Sequence, residues 1–118
     1  MNNTTAATAA GWEEEIAETI FFLKGMVGFF NRQHASAKSL IAAGKPFLAA
    51  TPLGYAFDAE RSARELHDKL ASFFTGDELL IDDESFEVFC ESETLYRQAL
   101  ATEQERKAAC QAEYDATN

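Results

Sequence analysis

Ile16, Ile20, Leu23, Val27 and Phe30 recur at alternating intervals of four and three residues. That spacing puts all five side chains on one face of an α-helix, whereas a strand would divide them between its two faces. Phe21, Phe22, Met26 and Phe29 extend the apolar surface most of the way round. A helix apolar on most sides lies at the centre of its domain or is shared with another chain. The spacing predicts a helix from about Gly11 or Trp12 to about Arg32, with Glu13, Glu14 and Glu15 complementing the helix dipole in its first turn. Gly25 and Gly28 inside it each cost ~1 kcal/mol of helix propensity. They would permit the close approach of a neighbouring backbone, or a kink. The apolar stretch from Ile16 to Phe30 contains Glu18 and Lys24 and is shorter than the roughly 20 residues a bilayer crossing needs. It reads as a buried helix.

Further helices follow. A short one is expected over Ala35 to Ala43, with Ser36 as its cap and Gly44, Lys45 and Pro46 as a stop. Residues 46–57 hold Pro46, Pro52 and Gly54 and read as one helical turn over Phe47 to Ala50, then an irregular packed connection. Asp58 is the expected N-cap of the next helix, whose inner face is Ala59, Ala63, Leu66, Leu70 and Phe73. Its outer face carries opposite charges at i,i+4 in Glu60–Arg64, Arg61–Glu65, Arg64–Asp68 and Glu65–Lys69, so it can neutralise itself. Gly76 is its expected end. Leu79, Leu80 and Ile81 fit an extended segment or an apolar plug. From Asp83 a helix is expected again, broken near Ser92 and resuming towards Tyr114, with Phe86, Phe89, Cys90, Tyr96 and Leu100 as apolar markers. Beyond Leu100 the pattern thins, and the last turns are expected to project, fray or meet another subunit.

Charge is distributed very unevenly. Residues 1–70 carry 8 acids and 7 bases, residues 71–100 carry 8 acids and one base (Arg97), and residues 101–118 carry 4 acids and 2 bases. The middle block holds Asp77, Glu78, Asp82, Asp83, Glu84, Glu87, Glu91 and Glu93. On a helical wheel Asp83, Glu87, Glu91 and Glu84 share an arc of about 100°, while Phe86, Phe89 and Cys90 fall elsewhere, between about 240° and 340°. Glu93 strays from the acidic arc. Asp82, Asp83 and Glu84 suit a helix N-terminus, and an acidic face also aids solubility. The helix terminus does not account for Glu87 and Glu91, which repel each other at i,i+4, although solubility alone can favour such a face. Such a surface complements a basic protein surface. Direct nucleic-acid binding, which needs clustered Lys and Arg, and an anionic membrane are both disfavoured.

Catalytic signatures are missing. There is no nucleophile elbow, phosphate loop or dinucleotide fingerprint. Residues 77–88 lack the ligand order and central glycine of a calcium loop, so no metal site and no cofactor are expected. His34 and His67 have no ligand-spaced partner and read as ordinary surface or helix-end residues. Cys90 and Cys110 form no close-spaced pair and read as two buried or incidental thiols of a reducing compartment, a disulfide between them being the alternative that depends on the fold. The first ten residues lack the basic start of a secretory signal. The chain is therefore expected to be soluble and cytoplasmic.

These readings converge on an all-α protein, a compact bundle of four or five helices around the apolar first helix. A flexible arm over residues 1–10 precedes a single helical domain over 11–118, with a radius of gyration of roughly 13 Å. The expected function is non-enzymatic. Asp77, Glu78, Asp82, Asp83, Glu84, Glu87 and Glu91 would occupy a basic site on another protein, as an inhibitor or adaptor. A special case is a nucleic-acid mimic, such as a phage anti-CRISPR protein, whose carboxylates stand where phosphates bind. The alternative is a structural or assembly protein, such as a phage component or export chaperone, oligomerising through Phe21, Phe22, Phe29 and Phe30. The excess apolar surface of the first helix is compatible with a homodimer.

Overall fold

The computed structural model describes residues 2–73 and 81–117, with side chains from Trp12 onward. All regular structure among them is helical: α1 (Asn2–Ala42), α2 (Ala50–Ala71), α3 (Asp83–Ser92) and α4 (Leu95–Thr117). α1 is helical from Asn2 through the start expected near Gly11 or Trp12, so Glu13, Glu14 and Glu15 are interior residues and not its first turn.

The stripe that begins at Ile16 does not stop at Phe30. It continues through His34, Ala37 and Ile41 at the same four-three spacing, and α1 is one unbroken helix through the break expected at Arg32 to Ala35. No Gly or Pro lies between Arg32 and Ala42, and the alanines there favour helix. Ser36 is an interior residue, not a cap. The stop at Gly44 is as expected. Its φ is +78°, the Gly44 N–H donates to the Ile41 carbonyl (3.1 Å), and the Lys45 N–H donates to the Leu40 carbonyl (2.8 Å). This pair of bonds is a Schellman motif, and it needs the left-handed residue that glycine supplies cheaply.

Pro46 to Ala49 form one tight turn, as expected, but α2 then begins at Ala50 rather than at Asp58. Pro52 falls in the first turn of α2, where a backbone N–H has no intrahelical acceptor, so the missing donor costs nothing there. The segment read as an irregular connection is therefore two helical turns. α2 ends at Ala71, where the Ser72 hydroxyl donates to the Lys69 carbonyl (2.6 Å). The expected stop at Gly76, and Leu79 and Leu80, lie outside the described residues. The break near Ser92 is present: Glu93 and Thr94 separate α3 from α4, and the Thr94 hydroxyl closes the turn on the Glu91 carbonyl (2.8 Å).

Cross-helix contacts define an up-down-up arrangement. Trp12 meets Phe73, Glu15 meets Lys69 and Phe29 meets Tyr55, so α2 runs antiparallel to α1. Lys24 meets Glu84 and His34 meets Thr102, so α3 and α4 run alongside α1 in its own direction. The core contains Leu23, Val27, Phe30, Leu53, Leu70 and Leu95, with Ala37, Ala56, Ala63 and Ala99 between them. These alanines let the helix axes come close. The molecule is a rod of 76 × 20 × 20 Å with a radius of gyration of 19.1 Å, not the compact body expected. The cause is the length of α1: 41 residues at about 1.5 Å each exceed any globular diameter for this chain. At the other end the last two turns of α4, Gln111 to Thr117, are exposed on every side.

Candidate partner-binding surface

Asp82 starts α3. Its backbone is extended (ψ 164°), and its Oδ1 accepts the Ser85 N–H at 2.7 Å. That bond, with the Ser85 side chain, holds the Asp82 carboxyl below its ordinary value against opposing desolvation, and nearby Lys24 adds to the lowering. Asp83 and Glu84 occupy the first turn, where the dipole favours them. Asp82 is thus a structural cap as well as a member of the acidic set.

The inner face of α3 differs from the expected one. Ser85 and Ser92 are buried and Val88 and Phe89 half-buried, whereas Phe86 is 51% exposed and Cys90 is exposed. The helix is turned by roughly a quarter-turn from the orientation that hydropathy suggests. Asp83, Glu84 and Glu87 face outward, Glu91 is half-buried at the edge of their arc, and Phe86 lies on the other flank. Phe86 is the member of this surface that the sequence reading assigned to the interior. Asp77 and Glu78 lie outside the described residues.

Neutralisation of this surface is slight. Glu84 has a long contact with Lys24 Nζ at 3.9 Å, and both side chains are substantially exposed. Such a pair contributes about 0–1 kcal/mol. Among the described residues Asp83, Glu87 and Glu91 have no ion-pair partner within 4.0 Å. Other helices do pair their charges, through Glu60–Arg64, Glu15–Lys69 and Glu103–Arg106. The α2 pairing departs from the expected i,i+4 set, because Lys69 reaches across to α1, and Arg61 lies 3.9 Å from Asp58.

The four phenylalanines of α1 do not form one surface. Phe21 is 72% exposed and Phe22 48%, their rings meeting edge to face at 5.5 Å. Phe29 is half-buried against Tyr55. Phe30 is fully buried, so it belongs to the core and is no interface residue. Beside Phe22, a shallow cavity of about 390 Å³ opens between the helices, lined by Met26, Ser62, Glu65, Leu66 and Lys69.

Both histidines are interhelical struts rather than surface residues. His34 Nε2 lies 2.7 Å from the buried Thr102 hydroxyl, with its ring stacked on Phe30. His67 Nδ1 lies 2.8 Å from Ser92 Oγ, its ring stacks on Phe89 at 4.0 Å, and its Nε2 is 3.4 Å from Glu93 Oε1. Ser92, His67 and Glu93 thus resemble a nucleophile, a base and an orienting acid. However, the Ser92 hydroxyl donates to the Phe89 carbonyl at 2.6 Å and must accept from His67 Nδ1–H. A nucleophile needs the reverse, its own proton directed at the base. Ser92 is also buried in the helix contact. The trio ties α3 to α2.

Among the described residues no group of three or more His, Cys, Asp or Glu side chains is placed to hold a metal ion, and no helix is long and apolar enough to cross a membrane. Cys90 and Cys110 are free thiols. A second shallow cavity, of about 470 Å³, lies near the end of α4 between Phe47, Arg106, Cys110 and Tyr114. Comparison with known proteins returned no matching family model, no matching curated relative and no matching solved structure.

Proposed function

We propose that this chain is a non-enzymatic protein-binding inhibitor or adaptor, built on a helical bundle organised about α1, that places the outward face of α3 on a basic surface of another protein. The supporting observation is the run Asp83, Glu87 and Glu91. It repeats at i,i+4 without ion-pair partners among the described residues, whereas α1, α2 and α4 each contribute carboxylates to close ion pairs. Exposed Phe86 at the edge of the run supplies the apolar anchor that purely electrostatic docking lacks. Where the basic surface is one that binds nucleic acid, the carboxylates act as phosphate substitutes, the behaviour of an anti-CRISPR-type mimic. The chain itself would not bind nucleic acid, and the cytoplasm is the compartment in which such a partner is met.

The test is a pull-down from source-cell lysate at low and high salt, with mass spectrometry, followed by competition with nucleic acid on the captured partner. Capture that weakens with salt and is lost on Asp83→Lys with Glu87→Lys supports the reading. Capture that ignores both is evidence against it.

A second reading, assembly through α1, is favoured by the exposure of Phe21 and Phe22. A phage component or an export chaperone would use such a surface, and the acids would then serve solubility. Substituting Phe21 and Phe22 by Ser should abolish assembly in that case, with α3 charge reversals having no effect.

A further inference from the structure

The face of α1 opposite its buried stripe carries Glu14, Glu18, Phe21, Phe22, Gly25, Phe29 and Arg32, all exposed except the half-buried Phe29. Two features of this face need explaining. Gly25 is in the interior of a helix, where glycine is unfavourable. Yet a Cβ built on it would meet nothing within 4 Å, so no contact within the chain requires the glycine. In addition, complementary charges flank Gly25 at equal distance on this face. Glu18 and Arg32 are each seven residues away, one acid and one base. Neither has an ion-pair partner among the described residues. Arg32 lies over the Phe29 ring at 6.0 Å.

We infer that this face of α1 pairs with the same face of a second copy, antiparallel about a two-fold axis at Gly25. The two glycines let the backbones approach, because the spacing of packed helices depends on the side chains at their contact. Antiparallel pairing sets Glu18 of each copy opposite Arg32 of the other, closing two ion pairs that the monomer leaves open. It seats Phe21 over the Gly28 of the other copy and sets Phe22 beside its Phe29. The cavity beside Phe22 and Met26 lies on the same side, so α2 adds to the contact. The pairing is isologous and therefore closes at two chains. It rests on the assembly reading and is independent of the α3 docking surface.

Sedimentation equilibrium of the full chain tests it. The wild type should be a dimer. Gly25→Leu should be a monomer with unchanged helical content, because the monomer has open space there. Glu18→Arg and Arg32→Glu should each weaken association roughly tenfold or more, and the double exchange should restore it, since the pairs re-form with reversed sign. Asp83→Lys with Glu87→Lys should dimerise like the wild type. A wild type that stays monomeric, a dimer indifferent to Gly25→Leu, or a double exchange without rescue would each overturn the inference. An oligomer lost on Phe21→Ser but not on Gly25→Leu would leave assembly through α1 standing and remove this geometry.

Discussion

His34 Nε2 and Thr102 Oγ1 meet at 2.7 Å across the contact of α1 with α4, 68 residues apart in sequence. The ring is partly buried on Phe30. Desolvation is the main cause that holds its pKa below the ordinary value of about 6.5, and nearby Lys38 acts in the same direction. A hydrogen bond to the Gln98 backbone and the charge of Glu105 oppose them and do not cancel them.

The pH dependence follows from that direction. Between the lowered native value and the ordinary one, the unfolded chain binds the proton more readily than the native chain. Stability from His34 is therefore complete above about pH 6.5 and is lost as pH falls through that value towards the native one. Thermal midpoints measured from pH 8 to pH 5 should show this decline in the wild type, and His34→Gln should reduce it. His34→Ala leaves the Thr102 hydroxyl buried without its partner and should cost about 1–3 kcal/mol at neutral pH by denaturant titration.

Glu60 is 5% exposed, and both Nε and Nη2 of Arg64 donate to its Oε1, at 2.8 and 2.6 Å. Arg64 itself lies over Tyr96 of α4, at 5.6 Å from the ring centroid. Removing the cation strands a carboxylate in the helix contact. Arg64→Ala should cost about 2–3 kcal/mol, lowered by the exposure of the arginine. Adding Glu60→Met to that variant should recover part of the loss, because an apolar side chain needs no partner there. Urea titrations of the two variants check the order, and a double variant less stable than Arg64→Ala would contradict it.

Ser92 sits at the last residue of α3 and holds His67 of α2 while bonded to the Phe89 carbonyl. The two side chains act as one strap, so their contributions should not add. In a double-mutant cycle of His67→Ala and Ser92→Ala, the coupling should be about 0.5–1.5 kcal/mol. Additive losses would show that the bond carries no energy of its own.

How legible this architecture is in the sequence depends on which side chains fill the stripe. The faces of Ile16 to Phe30 and of Ala59 to Phe73 are readable because apolar residues mark them, and the turn at Glu93 because α3 and α4 carry different patterns. Polar residues hide the rest. In α2 the four-three register runs Ala49, Leu53, Ala56, Glu60, Ala63, His67 and Leu70, and hydropathy drops at Glu60 and His67 although both take core-facing positions. His34 interrupts the α1 stripe in the same way, just beyond the helix end expected at Arg32. Register, followed through polar positions, would have found all three. In α3 the fully buried side chains are small hydroxyls, one of which satisfies itself on a carbonyl of its own helix, with Val88 and Phe89 half-buried beside them, while Phe86 stays outside. The acidic arc is a property of spacing alone and was readable. The orientation of that arc relative to the body was not.

The acidic run also makes a prediction about stability, separate from any partner. Asp83, Glu87 and Glu91 repel along one side of α3, and like charges at this spacing destabilise by a few tenths of a kcal/mol each. Glu87→Lys reverses both contacts of the middle residue and should raise stability by about 0.5 kcal/mol, with the gain shrinking as salt screens it. If the run is a docking surface, the same substitution should lower affinity for the basic partner. Stability and binding should then move in opposite directions in one variant, the pattern expected where a surface is kept strained for function. Denaturant titration and partner capture on Glu87→Lys measure the two effects side by side. A gain in stability with unchanged capture would assign the run to solubility.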